Sequence, residues 1–214
     1  MNSLLNGLRE FFVPLMPLYF ERVIGIVSIL GDQKEQAGQK RKRGQIEFNA
    51  DDKDSHTFYE LLTLAIKNMQ LNFVFDNVSF IQNDTFEKIS EPLAKLVTLT
   101  QIGGEYGNFV EDVLKPGVFD LVERINNDDM WKKINFDILM HTRNSNPQVR
   151  LGAFKIIEHL FNRIGERFLI LLNDTIPFLS EGMEDENPDV EICAKAIVAR
   201  IEQMTGDSIH EYLK

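Results

Sequence analysis

The chain has 214 residues, with 23 Lys plus Arg against 33 Asp plus Glu and a formal net charge of -10. That length can bury a sizeable apolar core without disulfide or metal staples. The acidic balance excludes a globally basic surface that coats nucleic acid through phosphates alone, so any RNA contact has to be local. The single cysteine, Cys193, has no partner for an internal disulfide. At helical spacing among apolar neighbours it reads as a small buried hydrophobe in a reducing, intracellular compartment.

The first residues, Met1 to Glu10, lack the basic start, apolar middle and small-residue cleavage site of a secretory signal. The most apolar stretch, Phe11 to Leu30, is interrupted by Pro14, Pro17, Glu21 and Arg22. It falls short of the roughly 20 apolar residues that a spanning helix needs, so no membrane contact is expected. The prolines divide it into a short helix, Leu4 to Phe12, and a second, Leu18 to Leu30, giving a helical hairpin over residues 1–30. Residues 31–55 are rich in Gln, Lys, Glu, Gly and Asp without periodicity and read as a flexible linker. Within it, Lys40, Arg41, Lys42 and Arg43 form a basic run that an import receptor or an RNA backbone could reach, although short basic runs also arise as solvated linker.

Beyond the linker, Thr57 and Glu60 have the spacing of a capping box, and Phe58, Leu61, Leu62, Ala65, Met69 and Phe73 recur on one helical face. Asp84 to Glu87 repeats that start signal ahead of Phe86, Ile89, Leu93 and Leu96, with Pro92 expected to kink or restart the helix near Ser90. Gly103, Gly104 and Gly107 mark a turn, and an apolar-periodic segment from Phe109 to Ile125 is expected to break near Pro116 and Gly117. Sustained period-two alternation is not found, so the chain reads as all-α.

The last third carries an internal repeat. Asn146-Pro-Gln-Val-Arg-Leu-Gly-Ala153 aligns with Asn187-Pro-Asp-Val-Glu-Ile-Cys-Ala194 at an offset of 188 minus 147, or 41 residues. That period lies in the HEAT/armadillo range. Val149, Ile156 and Leu160 align with Val190, Ile197 and Ile201 as inward faces. Asn supplies a cap, Pro occupies the first helical position, and the small Ala lets a neighbouring helix approach. Trp131, Ile134 and Ile138, and then Leu172, Ile176, Leu179 and Met183, supply the preceding helices. The fold expected for residues 56–214 is therefore an α-solenoid of stacked helical hairpins, clearest over about 131–165 and 172–206, with no third copy of the octad near Tyr106.

Candidate sites are few. Arg143 and Arg150 flank the turn of the first copy, while Asp185, Glu186 and Asp189 occupy the turn of the second. A basic turn beside an acidic one suggests a ladder pair, with RNA contact by the arginines or a partner surface as the alternative. Trp131 could stack on an RNA base, but its spacing to Ile134 and Ile138 favours the core. His56, His141, His159 and His210 are scattered, without metal-ligand spacing. Gly103-Gly-Glu-Tyr-Gly107 lacks the Gly-Lys-Ser/Thr of a phosphate loop. The reading is of a non-enzyme that needs neither cofactor nor metal and acts on no small-molecule substrate.

Three segments carry a family likeness: Asp128 to Leu139, His141 to Arg150, and Thr175 to Glu186. In order and spacing they resemble the C-terminal region of HEAT repeat-containing protein 1, also called U3 small nucleolar RNA-associated protein 10. The likeness is strongest from Asn126 to Lys214 and weaker over the Phe12-Val-Pro-Leu stretch and the basic linker. The resemblance implies a scaffold subunit of the small-subunit processome, or 90S pre-ribosome. Such a subunit acts in the nucleolus in pre-18S rRNA processing, coupled to ribosomal DNA transcription, with processome proteins and the U3 ribonucleoprotein as partners. It tips the reading of Lys40 to Arg43 towards nuclear import. It also implies that this chain corresponds to the end of a much longer solenoid. The alternative is a HEAT adaptor in signalling or nuclear transport.

Overall fold

The computed structural model describes residues 21–27, 53–75, 81–100, 108–125 and 127–209, and these residues are helical with short connections. The first predicted helix, the linker up to Asp52 with its basic run at Lys40 to Arg43, the glycines at 103–107 and His210 lie outside the described residues. The chain divides into two compact units between Arg124 and Ile125.

In the first unit, residues 21–27 are helical, with Ile24 and Val27 buried and Glu21 paired with Lys88 at 2.6 Å. Helix α1 spans Lys53–Phe75 and α2 spans Asn83–Lys95. Thr57 therefore lies within α1 rather than capping it: residues 53–56 already continue the helix, and His56 stands 3.8 Å from Glu60 one turn on. Leu62, Ala65, Met69 and Phe73 are buried as the spacing requires. Leu61 is 43% exposed, because the neighbouring position Leu62 takes the inward direction.

Two of the prolines expected to interrupt helices, Pro92 and Pro116, are absorbed. Pro92 sits inside an unbroken α2, where it leaves the carbonyl of Lys88 without its helical donor; Lys88 is exposed, so water can take that bond. Phe86, Ile89, Leu93 and Leu96 remain one buried stripe. Ahead of Pro116, the backbone widens into a π-turn over Val110–Leu114 in which the Lys115 N–H donates to Val110, and α3 continues over Lys115–Arg124. The wider turn relieves the clash that a proline ring makes with the carbonyl one turn before it. Gly117 is used for contact: a Cβ built there would stand 2.6 Å from Ile66 Cγ2, so the missing side chain lets α1 and α3 close together. Gln70 Nε2 donates to Asp120 Oδ2 across the same pair at 2.7 Å.

The second unit is two stacked hairpins, α4 (Asp128–Leu139) with α5 (Pro147–Ile164), then α6 (Leu172–Met183) with α7 (Pro188–Thr205). The octads open α5 and α7 in the same way. Asn146 Oδ1 accepts from the Gln148 N–H, and Asn187 Oδ1 accepts from the Asp189 and Val190 N–H groups. Pro147 and Pro188 hold the first helical position, where a missing N–H costs nothing. Val149, Ala153, Ile156 and Leu160, and Val190, Ala194, Ile197 and Ile201, are all buried. Replacing either cap asparagine by alanine is expected to cost about 1 kcal/mol in urea unfolding. Leaving both caps intact and replacing exposed Gln148 should cost a few tenths at most.

The repeat reaches further than the octad. Gly165 and Gly206, again 41 apart, end the two long helices at φ 70° and 76°, a region that disfavours any residue with a Cβ. Between the hairpins, a Cβ on Gly182 would come within 2.4 Å of Phe154 Cζ and 3.0 Å of Ala194 Cβ. Gly182 thus marks where α6 is crossed by α5 and α7 together.

Candidate functional site

The residues singled out in the sequence converge on the turns of the second unit. Arg150 sits in the first turn of α5 and reaches the turn between α6 and α7. Its Nε and Nη2 donate to the two carboxylate oxygens of Asp185, each at 2.7 Å, and its Nη1 donates to the carbonyls of Asn144 and Ser145 at 3.0 and 3.3 Å. One guanidinium therefore ties the turn of the first hairpin to the turn of the second. Both side chains are only 10% exposed. A charge pair at that depth is held by geometry, and here the fork-to-fork match supplies it. The Arg150 hydrogen bonds hold the Asp185 carboxyl below the usual carboxylate range, burial opposes them, and the Asn187 N–H bonded to Asp185 Oδ1 at 2.8 Å adds to the lowering.

The other nominated residues are less tightly engaged. Glu186 lies 3.8 Å from Arg150 and is 92% exposed, and Asp189 contributes its backbone N–H to the Asn187 cap. Arg143 pairs with Glu181, which the sequence reading had not nominated, through bonds of 2.7 and 2.6 Å. Its guanidinium also lies 4.3 Å from the ring centroid of Phe178, against which exposed Phe136 packs edge-on at 6.4 Å. Glu181 is held below the usual carboxylate range by the hydrogen bond from Arg143. Being open to water, this outer rung is expected to weaken with salt more than the inner one.

The signal for the inner rung was present but stopped one step short. Asn144 and Asp185 are also 41 apart, and each accepts from the backbone N–H of the cap asparagine two residues on. Extending the octad two residues towards the N-terminus exposes this position and shows that the second copy replaces a neutral acceptor by a charged one. Glu181 had no such marker, since it belongs to the last turn of α6.

Trp131 is a core residue, 4% exposed, with its ring 5.9 Å from Phe168 and its Nε1–H donated to the Ile125 carbonyl at 3.0 Å. Deeper still, Asn135 Nδ2 donates to Thr175 Oγ1 at 3.1 Å, and that hydroxyl donates to Leu171. This buried chain joins α4 to α6 and fixes their register. Cys193 is buried. Among the described residues, no group of three or more His, Cys, Asp or Glu is placed to hold a metal ion. No helix there is long and apolar enough to cross a membrane. The side chains that converge in this unit pair with one another across helices, which is the chemistry of a stacking interface.

Helical hairpins repeating at 41 residues, capped by Asn-Pro and joined by a turn-to-turn ladder, define a HEAT-type helical repeat protein. No family model matches the chain. It is 34% identical to the HEAT repeat-containing protein 1 homolog of Dictyostelium discoideum over 72% of this chain and 7% of that protein. To HEAT repeat-containing protein 1 of Homo sapiens it is 32% identical, over 71% of this chain and 7% of that protein. Against U3 small nucleolar RNA-associated protein 10 of Schizosaccharomyces pombe the figures are 29%, 72% and 10%. The chain belongs to the family of HEAT repeat-containing protein 1, and it spans a tenth or less of the length of these three relatives.

Proposed function

We propose that this chain is a non-catalytic scaffold segment of the small-subunit processome, the pre-ribosomal assembly that carries U3 small nucleolar RNA. In this reading it acts in nucleolar pre-18S rRNA processing as the C-terminal segment of a long solenoid. The observation that carries it is the family membership, since relatives named for association with U3 small nucleolar RNA align over more than two thirds of the chain. The paired turns agree with it: Arg150 and Asp185 are engaged with each other, leaving exposed Glu186 and Asp189 on the same edge for protein partners rather than for phosphates. Affinity purification of the tagged chain from its own cells tests the proposal. Recovery of U3 RNA and pre-18S rRNA together with processome proteins supports it. Recovery of a phosphatase or a transport factor without those RNAs would replace it by an adaptor role.

In the same reading, residues 1–30 are a helical hairpin, residues 31–55 a linker, and Lys40 to Arg43 within it an import signal. Replacing those four residues by alanine is expected to shift a fluorescently tagged chain from nucleus to cytoplasm while leaving its helical circular dichroism unchanged. If the variant still reaches the nucleolus and instead loses RNA in crosslinking, the run is a phosphate contact.

A further inference from the structure

The first hairpin of the second unit carries an exposed stripe that its own packing does not use. Along α4 and the 3₁₀ turn that continues it over Met140–Arg143, the exposed residues Lys132, Phe136, Met140 and Arg143 follow one another at spacings of four, four and three. That spacing keeps them on one face, apart from buried Trp131, Ile134 and Ile138. Phe136 is 52% exposed and Met140 45%. Phe178 of α6 lies beside them, with Phe136 edge-on to its ring and the Arg143 guanidinium over it.

The repeat does not require this stripe. At the offset of 41, the second hairpin has Asn173, Pro177, Glu181 and Glu184 in the same four places. Both hairpins still bury their inward positions, Ile134 and Ile138 in the first and Thr175 and Leu179 in the second. A ring and a thioether facing water one helical turn apart add little to the hairpin that carries them. Their presence in one copy alone points to something that covers them.

The charges determine what fits. Lys133 is paired with Asp137 one turn on at 3.0 Å, and Arg143 with Glu181. Arg143 uses Nε and Nη2 in that pair, which leaves Nη1 to donate from a group whose charge is already balanced. The acceptor that suits it is neutral, such as a main-chain carbonyl. Lys132 forms no ion pair among the described residues, so the other end of the stripe offers one unbalanced cation. A nucleic-acid strand is a poor match, because its successive phosphates would run past Asp137 and Glu181 with a single cation to receive them. A polypeptide matches at every point: an apolar side chain for Phe136 and Met140, a carboxylate for Lys132 and a carbonyl for Arg143. From Lys132 to Arg143 the stripe is about 16 Å long, the reach of about five residues of extended chain.

We infer that Lys132, Phe136, Met140 and Arg143 form a docking strip for a short linear protein segment, which sets one bulky apolar side chain on Phe136 and Met140 and a carboxylate on Lys132. The contact follows from the faces of α4 and does not depend on the assembly in which the chain works.

The test is a selection on the full chain with a displayed library of random short peptides, followed by fluorescence polarisation of those recovered. They should combine a bulky apolar residue with an Asp or Glu within about five positions. Phe136→Ser should weaken their binding about tenfold, as loss of a central anchor does. Lys132→Glu should weaken it several-fold and remove most of its salt dependence, while Ile192→Ser, at an exposed site on α7, should leave it unchanged. If Phe136→Ser loses its helical circular dichroism, Met140→Glu takes its place with the same expected fall. A selection that yields no peptide, or peptides that bind the Phe136 or Met140 variant as well as the wild type, overturns the inference. So does binding that is indifferent to Lys132→Glu. Displacement of the peptides by single-stranded RNA that binds Phe136→Ser undiminished would make the stripe a phosphate contact instead.

Discussion

Replacing Trp131 by alanine is expected to remove about 4 kcal/mol from the stability of the second unit, the largest effect of any single substitution in α4. The side chain is 4% exposed, lies against Phe168, and has its indole N–H committed to the Ile125 carbonyl. Alanine removes a large buried ring and leaves a void walled by rings and aliphatic groups that cannot collapse fully, and it strips a buried carbonyl of its donor. Phenylalanine separates the two losses. It keeps most of the ring contact and forfeits the hydrogen bond, so it should cost about 1–2 kcal/mol. Trp131 is the chain's single tryptophan, so wild-type fluorescence reports the second unit alone, while circular dichroism follows the variants. An alanine variant with an unchanged urea midpoint would show that Trp131 is not part of the core.

The same residue shows how far the sequence carries. Its placement at three and seven residues before Ile134 and Ile138 was enough to assign it to the core, because a helical stripe is a one-dimensional signal. The Asn-Pro caps were legible for the same reason: all the chemistry of a helix start lies within four residues of chain. Pro92 and Pro116 misled because a proline states that one N–H is missing, and not how the backbone will accommodate it. A water-facing carbonyl and a π-turn both do so without ending the helix. The partner of Arg143 was not legible, since Glu181 lies 38 residues away on another helix and nothing local distinguishes it from the other acids of α6 and its turn. The ladder acid was half legible, because Asp185 inherits its position from the repeat while its charge departs from Asn144. What the sequence alone could not reach was the close approach at Gly182, because Phe154, the side chain that fills the space there, lies 28 residues earlier on another helix.

Arg150→Met should cost about 3 kcal/mol at neutral pH, because it leaves the Asp185 carboxylate, 10% exposed, without its cation and frees the carbonyls of Asn144 and Ser145. The companion variant, Arg150→Met with Asp185→Asn, is expected to recover most of that loss. Asparagine is what the first copy uses at this position. There Asn144 accepts from the Asn146 N–H at 2.9 Å, and the amide introduced by Asp185→Asn can accept from the Asn187 N–H in the same way without a charge to neutralise. The dependence on pH has a fixed sign. The carboxyl of Asp185 is held low in the folded state, chiefly by the Arg150 hydrogen bonds, so the pair stabilises the fold in full above the ordinary carboxylate value of about 4 and loses that contribution as pH falls through the folded value. In Arg150→Met the acid gains a proton more readily, and once protonated it no longer needs a cation. The gap between wild type and Arg150→Met should therefore narrow steadily below about pH 4, and the gap between wild type and the double variant should narrow too, by the smaller amount that comes from loss of the wild-type pair alone. Unfolding in urea at pH 7 and pH 3 measures both differences. A single-variant gap that is the same at the two pH values would mean that Arg150 acts through its packing and the two turn carbonyls, with the Asp185 charge adding nothing to the joint between the hairpins.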